Sequence, residues 1–330
     1  MEKMKILVRL PNWLGDMVMS VGALHQVRHF WPEAELSVIV KKGLHDLLPH
    51  FPPTVHQFIF SKEDYKGLRG VWRFGRMIRQ HQKFDLYISF PDSFSAALMG
   101  LATGARERIG YKKEGRQILL TQSFSRPKGL HRVDEYVALL QAYSGKVAAQ
   151  VAVTLQHLYT SAGHVVVNIN SEASSRRLTP AKAKEIIEAV RNCTIQPVIL
   201  IGGPKEKTFV DEVMQSLSVQ EGITSVAGET SLPQLVEVLA TADLVLTTDS
   251  GPAHLANALG TQTVVLFGAG NENNTSPYNR NAVQVIRLNK LACEPCTKNV
   301  CVRFGTPQCL ELLETSRIIQ AVQERIQHGS

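Results

Sequence analysis

The chain has 330 residues, a formal net charge of +7 at pH 7, 44% hydrophobic residues and five cysteines. Its length exceeds that of one typical domain, and its apolar runs are too short for a membrane span. The basic excess favours anionic partners, and cysteines in a chain with no visible signal peptide favour thiols or a metal over disulfides. We therefore expect a two-domain cytoplasmic protein that starts at or near Met1.

Strands and helices alternate along both halves of the chain. The first half predicts strands at 5–10, 36–40, 55–60 and 85–90, and helices at 16–30, 67–80, 93–102 and 132–143. Residues 144–161 have the character of a linker, with a short strand at 151–155 as one option. The second half predicts strands at 165–169, 197–201, 224–227, 244–248, 263–267 and 283–288, and helices at 180–191, 206–217, 231–240, 253–259 and 315–327.

This alternation predicts an α/β protein with two Rossmann-like domains, at residues 1–157 and 158–330. Each domain should hold a mostly parallel sheet covered by helices. We expect the sheets to face each other across a cleft, with ligands at the carboxyl ends of the strands. The last helix is free to pack back on the first domain.

The strand at 244–248 runs into Asp249-Ser250-Gly251-Pro252, and a helical pattern follows. Ser250 is a candidate N-cap, and Pro252 suits a first helical turn because it needs no N–H there. A helix that starts at the end of a buried strand suits phosphate, with Asp249 and His254 beside it. The alternative is an ordinary capped turn, which recurs in α/β proteins.

The first strand is followed by Pro11-Asn12-Trp13-Leu14-Gly15-Asp16, which has one glycine where a dinucleotide fingerprint has three. Asp16 could accept a proton from an attacking hydroxyl, or it could only cap its helix.

Two loops of the second half carry polar residues that suit a nucleotide. Arg176 and Arg177 precede a helix and could bind phosphate through their guanidinium groups, or they could form a solvated basic turn. In the next loop, Gly203 permits close approach of a ligand and Glu206 could hold a ribose hydroxyl.

Cys293, Cys296, Cys301 and Cys309 form a C-x2-C-x4-C-x7-C pattern. Four thiolates could bind zinc or an iron–sulfur cluster, although the spacing is not a standard one and packed thiols are the alternative. The sequence has no Walker A loop, no G-x-S-x-G elbow and no Asp-x-Asp pair.

Four stretches in order, RLPNWLGDMVMS, RRLTP, GGPKE and LTTDSGPAHLANALGT, resemble the bacterial lipopolysaccharide heptosyltransferases of glycosyltransferase family 9, and most of all their heptosyltransferase II group. The resemblance implies a GT-B fold with acceptor bound by the first domain and donor by the second. It implies inverting transfer from ADP-L-glycero-D-manno-heptose to the inner core of lipopolysaccharide, with no cofactor required.

The resemblance also implies roles for individual residues. Asp16 matches the general base. Leu178-Thr179 stands where the family usually has Trp-Pro, which leaves the diphosphate contact open between Arg176 and Arg177. The implied donor-binding set is Gly15, Arg176, Arg177, Gly203, Glu206, Asp249, Ser250, Gly251 and His254. The acceptor-binding set is Asn12, Trp13, Arg106 and Arg108.

The acceptor that the resemblance implies, a Kdo- and heptose-bearing lipid A, is acidic and would account for the basic excess. We expect the protein to bind peripherally to the inner face of the cytoplasmic membrane and not to nucleic acid. The cations expected to face acceptor or membrane are Lys66, Arg69, Arg73, Arg76, Arg106 and Arg108, with a solvated basic face as the alternative. Two other functions stay open, namely transfer from a different nucleotide sugar and a non-catalytic nucleotide- or metal-binding module.

Overall fold

The computed structural model describes residues 3–328 and contains two six-stranded parallel sheets. The chain divides into two units, Met1–Val153 and Thr154–Ser330, and each unit holds one sheet. The division falls a few residues before the boundary expected from the sequence.

In the first unit the strands occur in the spatial order β3-β2-β1-β4-β5-β6. Its strands are β1 (Lys5–Arg9), β2 (Glu35–Lys41), β3 (Gln57–Phe60), β4 (Leu86–Ser89), β5 (Glu107–Tyr111) and β6 (Gln122–Phe124). Its helices are α1 (Leu14–Met19), α2 (Val21–Phe30), α3 (Gly67–His81), α4 (Phe94–Thr103) and α5 (Arg132–Ser144). The central strands β1 and β4 are buried nearly throughout, as expected for a parallel sheet covered on both faces.

The second unit repeats this topology, in the order β12-β11-β10-β7-β8-β9. Its strands are β7 (Val165–Asn168), β8 (Val198–Leu200), β9 (Ile223–Ser225), β10 (Leu244–Thr248), β11 (Gln262–Phe267) and β12 (Val283–Arg287). Its helices are α6 (Pro180–Cys193), α7 (Lys207–Ser216), α8 (Leu232–Ala240), α9 (Gly251–Ala258), α10 (Glu272–Thr275), α11 (Gln308–Glu311) and α12 (Thr315–His328). The last helix belongs to this unit, where Ile318, Ala321 and Val322 enter the core.

The strand order reverses between β1 and β4 in the first unit and between β7 and β10 in the second. Parallel sheets of this type bind ligands at such a reversal, just beyond the carboxyl ends of the strands. Asp16 follows β1, and Asp249 follows β10. The topology therefore places both residues at the ligand-binding edge of their own sheet.

Two local features differ from the sequence prediction. The helix expected at 16–30 is two helices, separated at Ser20, whose hydroxyl donates to the carbonyl of Met17. The optional strand at 151–155 does not form, whereas β5 and β6 form between the helices expected at 93–102 and 132–143, where no strand was predicted.

Candidate functional site

A buried arginine at the end of β1 shapes the loop that leads to Asp16. The Arg9 guanidinium donates to the carbonyl of Leu10 at 2.8 Å and to the side-chain oxygen of Asn12. Burial lowers the pKa of Arg9 to about 10, so it still carries its charge at neutral pH. The side chain of Asn12 is thus held by the buried Arg9. Trp13 is 59% exposed, and its ring centroid lies 5.7 Å from the Lys41 ammonium.

Asp16 sits in the first turn of α1 but does not occupy the N-cap position, which belongs to Trp13. Its carboxylate lies 3.8 Å from Nε of Arg132, the first residue of α5. Arg132 in turn pairs with the buried carboxylate of Glu135 at 2.9 Å. Tyr136 also faces this region, and burial, with a further contribution from Asp16, raises the pKa of its hydroxyl well above the usual value.

The pair of Arg132 and Glu135 continues into a chain of alternating charges. Arg126 lies 3.9 Å from Glu135 and 3.0 Å from Asp92, and Lys113 lies 3.3 Å from Asp92. Asp92 follows β4, Lys113 follows β5 and Arg126 follows β6, so these residues share the sheet edge that Asp16 occupies. Arg132, Arg126 and Lys113 each lie close to at least one of these carboxylates, so their charges are compensated.

Arg106 and Arg108, expected at the acceptor, lie at the opposite end of β5 from the edge that Asp16 occupies. Arg106 precedes β5 and Arg108 is its second residue, so both sit towards the amino end of a strand whose carboxyl end faces the Asp16 edge. The Arg108 guanidinium donates to the carbonyls of Ala105 and Leu119 at 2.7 and 3.1 Å. Burial lowers its pKa. The structure therefore does not bring these two arginines to Asp16.

In the second unit, the asparagine at the end of β7 links two neighbouring strands at the edge of the sheet. The Asn168 amide donates to the hydroxyls of Thr247 and Ser250 at 3.0 and 2.9 Å. The Ser250 hydroxyl donates back to the carbonyl of Thr248 at 3.1 Å. Ser250 holds the N-cap position of α9, but its side chain does not cap the helix as the sequence predicted. The Ser250 hydroxyl instead links the ends of β10 and β7 through its hydrogen bonds with Thr248 and Asn168.

Asp249 is 3% exposed and pairs with Arg176 at 3.4 Å between Nη1 and Oδ2. Burial raises the pKa of Asp249 to about 6, against the opposing effect of Arg176 and Arg287. Gly270 lies so close that a Cβ there would overlap the Asp249 carboxylate. His254, in the first turn of α9, is also buried.

The two neighbouring arginines point in different directions. Arg176 reaches Asp249, whereas the Arg177 guanidinium lies 5.2 Å from the ring centroid of Phe209 on α7. The Glu206 carboxylate accepts the backbone N–H of Gly203 at 2.7 Å, so it closes the turn after β8. Arg176 is therefore the residue of the pair that lies with the Asp249 motif.

The cysteine segment, residues 289–309, supports the turn that carries Arg176. The backbone N–H of Ser175 donates to the carbonyl of Asn299 at 3.2 Å, and its hydroxyl donates to the carbonyl of Lys298 at 2.5 Å. Thr297 donates its N–H to Ala269 at 2.8 Å, beside the glycine that contacts Asp249. The segment therefore fixes both sides of the Asp249 site.

The four cysteines are free thiols, and in residues 3–328 no group of three or more His, Cys, Asp or Glu side chains is arranged to hold a metal. Burial, with Glu294 and two of the other cysteines, raises the pKa of Cys309 to about 11.

Sequence reasoning missed the residues that support the site rather than form it. Arg287, the last residue of β12, donates to the carbonyls of Gly268 and Gly270 at 2.8 and 2.7 Å and pairs with Glu294 at 3.4 Å. Its position at the carboxyl end of a strand was a signal that could have identified it. The last glycine of Gly268-Ala269-Gly270 makes room for the Asp249 carboxylate.

Across the described part of the chain, no helix is both long and apolar enough to cross a bilayer.

Comparison with known proteins agrees with this architecture. Lipooligosaccharide heptosyltransferase 2 of Campylobacter jejuni is 24% identical over 99% of each chain. Lipopolysaccharide heptosyltransferase 2 of Escherichia coli K12 is 28% identical over 86% of this chain and 88% of its own. The structure of E. coli ADP-heptose LPS heptosyltransferase II superposes with a TM-score of 0.82 at 23% identity, over 98% of this chain and 99% of that one.

The predicted GT-B fold is confirmed by the two parallel sheets and by this structural match. The model of glycosyltransferase family 9 (heptosyltransferase) matches residues 71–305, most of the chain. The protein is therefore a glycosyltransferase and belongs to family 9.

Proposed function

We propose that this enzyme transfers L-glycero-D-manno-heptose from ADP-heptose to the inner core of lipopolysaccharide, with inversion at the anomeric carbon. The observation that carries the proposal is the Arg176–Asp249 pair at the strand reversal of the second sheet, beside the start of α9. A guanidinium and a helix N-terminus at that position suit a diphosphate. The names of the heptosyltransferase relatives support the choice of sugar.

In the proposed reaction, the bond between the anomeric carbon and the diphosphate breaks with its electron pair leaving on ADP. Arg176 and the first turn of α9, with His254, stabilise the negative charge that grows on the diphosphate. Glu206 and Gly203 take the ribose end of the donor. Since an arginine and a helix dipole neutralise the diphosphate, we propose that no metal or other cofactor is required.

Asp16 is the proposed general base. It removes the proton from the acceptor hydroxyl while that oxygen attacks the anomeric carbon on the face opposite to ADP. The Arg132 guanidinium lies 3.8 Å from the Asp16 carboxylate and would help to position it for this proton transfer. The first unit therefore supplies the acceptor-binding domain, with Asn12 and Trp13 beside the base, and the second unit supplies the donor-binding domain.

The proposed acceptor is the Kdo- and heptose-bearing lipid A of the inner core. The proposed location is cytoplasmic, at the inner face of the cytoplasmic membrane, with peripheral attachment. Structural support comes from the exposed cations of the first unit, of which Arg69 and Arg76 on α3 are examples.

The test combines donor titration with product analysis. Calorimetric titration with ADP-, UDP- and GDP-sugars should give measurable binding for the ADP-sugar alone, and a heptose-deficient core acceptor should gain one heptose in a mass spectrum. Transfer from a UDP- or GDP-sugar instead would favour the alternative of a different nucleotide-sugar transferase. Binding of nucleotide without transfer to any acceptor would favour a non-catalytic module.

A further inference from the structure

Helix α3 connects the edge strand β3 to β4, and its two faces differ sharply. Val71, Phe74 and Ile78 are buried against the first sheet and α4, while two glycines on the same face allow close approach. A Cβ at Gly75 would lie 2.5 Å from the Cβ of Ala102 on α4. The helix is therefore fixed rigidly on the unit by its inner face.

The outer face of α3 combines arginines with large apolar side chains. Leu68 is 54% exposed and Trp72 is 38% exposed, and these two residues are one helical turn apart. Arg69 and Arg76 flank them and are also exposed. The helix contains no aspartate or glutamate. We refer to Leu68, Arg69, Trp72 and Arg76 as the α3 surface.

Other arginines of the helix already have structural contacts. Arg73 donates to the carbonyl of Asp64 at 2.8 Å, and its guanidinium lies 5.2 Å from the ring centroid of Tyr65. Arg79 packs over Gly104, the C-cap residue of α4. Within residues 3–328, no ion pair is recorded for Arg69 or Arg76, so their charges face solvent without a carboxylate partner.

We propose that the α3 surface is the part of this enzyme that docks on an anionic lipid bilayer. The inference rests on the proposed function, because that function requires a lipid-anchored acceptor. Basic side chains beside exposed Trp and Leu on one helix face match an interfacial helix that lies flat on a membrane. The arginines contact lipid phosphates, while Trp72 and Leu68 enter the boundary between headgroups and acyl chains.

A purely basic face would suit nucleic acid equally well, and the apolar pair distinguishes the two partners. Leu68 has no aromatic ring on which a base could stack and no hydrogen-bonding group for a phosphate. Transfer of its side chain into the acyl region instead removes apolar area from water. The combination therefore favours lipid, and RNA becomes a competing outcome of the test.

The experiment measures co-sedimentation of the full-length protein with vesicles of phosphatidylethanolamine and phosphatidylglycerol, and with neutral phosphatidylcholine vesicles. Two double variants test the surface, Arg69→Glu with Arg76→Glu and Leu68→Ser with Trp72→Ser. Lys290→Glu with Arg303→Glu is the control, since it makes the same change of net charge at exposed positions of the second unit. Thermal unfolding confirms that each variant is folded.

We expect the wild-type protein to bind the anionic vesicles and not the neutral ones. Loss of the charge on two arginines should weaken partitioning by about 30-fold, and reversal should weaken it further. The apolar variant should also detach, and the control should bind within about two-fold of wild type. The proposal would be overturned if the wild-type protein failed to bind the anionic vesicles, or if both α3 variants bound them like wild type. It would also be overturned if the control variant lost binding equally, or if the protein bound single-stranded RNA more tightly than vesicles.

Transfer to a deacylated, water-soluble acceptor separates this inference from the proposed function. The α3 variants should transfer heptose to that acceptor at the wild-type rate, because the membrane is no longer needed. Absence of transfer by the wild-type protein would refute the proposed function. The vesicle experiment would still test membrane docking of the α3 surface independently.

Discussion

Asp249 is an ionisable carboxyl group in a nearly solvent-free position. Burial raises its pKa to about 6, although Arg176 lies at 3.4 Å. At neutral pH the folded protein therefore holds a carboxylate that would be more stable in water. Such a cost is typical of a residue that is kept for binding rather than for stability.

The change Asp249→Asn should stabilise the protein at high pH. The folded pKa of about 6 exceeds the ordinary value of 3.8, so the contribution of this group to stability is present below about pH 4 and is lost as pH rises through 6. Replacement should therefore raise the free energy of unfolding by about 2–3 kcal/mol at pH 8 and by little at pH 4. Urea unfolding at both pH values measures it; an equal effect at the two would contradict this account. Donor affinity should fall in the same variant.

Arg132 should support the reaction by pairing with the proposed base. It is the cation of α5 that lies 3.8 Å from the Asp16 carboxylate. The variant Arg132→Met should lower kcat/KM by about 2- to 5-fold, because a partly exposed ion pair contributes less than about 1 kcal/mol. Donor affinity should not change. Lys128→Gln, which removes an exposed charge from the same unit, is the control; an unchanged kcat/KM in Arg132→Met would rule out this role.

How far the sequence predicts the site depends on whether a residue belongs to a motif or supports one. Asp16, Arg176 and Asp249 stand in motifs that can be recognised in the chain itself. Arg132 and Arg287 are far from those motifs along the chain, and only the folded sheet edges bring them near. Arg106 and Arg108 lie towards the amino end of β5, which the sequence did not indicate, because a cluster of charges does not reveal which end of a strand it occupies.

At the scale of elements, apolar strands were predictable and polar ones were not. β10 is buried throughout and was identified from its composition. β5 begins with a glutamate and an arginine that are only partly buried, and no residue of β6, a strand at the outer end of the sheet, is fully buried. Since β6 has little buried surface and β5 opens on two charged residues, neither shows the apolar pattern that distinguishes a strand from a loop.

The cysteine segment is hydrogen-bonded to the turn at Ser174–Arg176, which belongs to the proposed donor site. The variant Ser175→Ala removes the hydroxyl that donates to Lys298 and should weaken binding of ADP-heptose by about 3- to 10-fold, the value of one buried hydrogen bond. Ser174→Ala is the matched control, since its exposed hydroxyl makes only a 3.3 Å contact with Asn299. Calorimetry that found equal donor affinity in both variants would show that the turn needs no such support.

At the scale of the whole molecule, two units of the same topology hold different chemistry. At the carboxyl edge of the first sheet, Asp16 lies beside a row of alternating, paired charges. At the same edge of the second sheet, Arg176 lies beside the buried carboxylate of Asp249. We therefore expect substitutions in the two units to affect different steps. Arg176→Ala should weaken donor binding by about 10- to 100-fold, the range for a charged hydrogen bond. If donor affinity stays at the wild-type value by calorimetry, the diphosphate contact belongs to another residue, with Arg177 the first to test.

The most direct measurement is the single-turnover rate of heptose transfer by Asp16→Asn, alongside its affinity for ADP-heptose. Because the amide cannot accept the proton, the rate should fall by about 1,000-fold or more, while donor affinity stays within about two-fold of wild type. A rate close to that of the wild-type enzyme would contradict the assignment of Asp16 as the base.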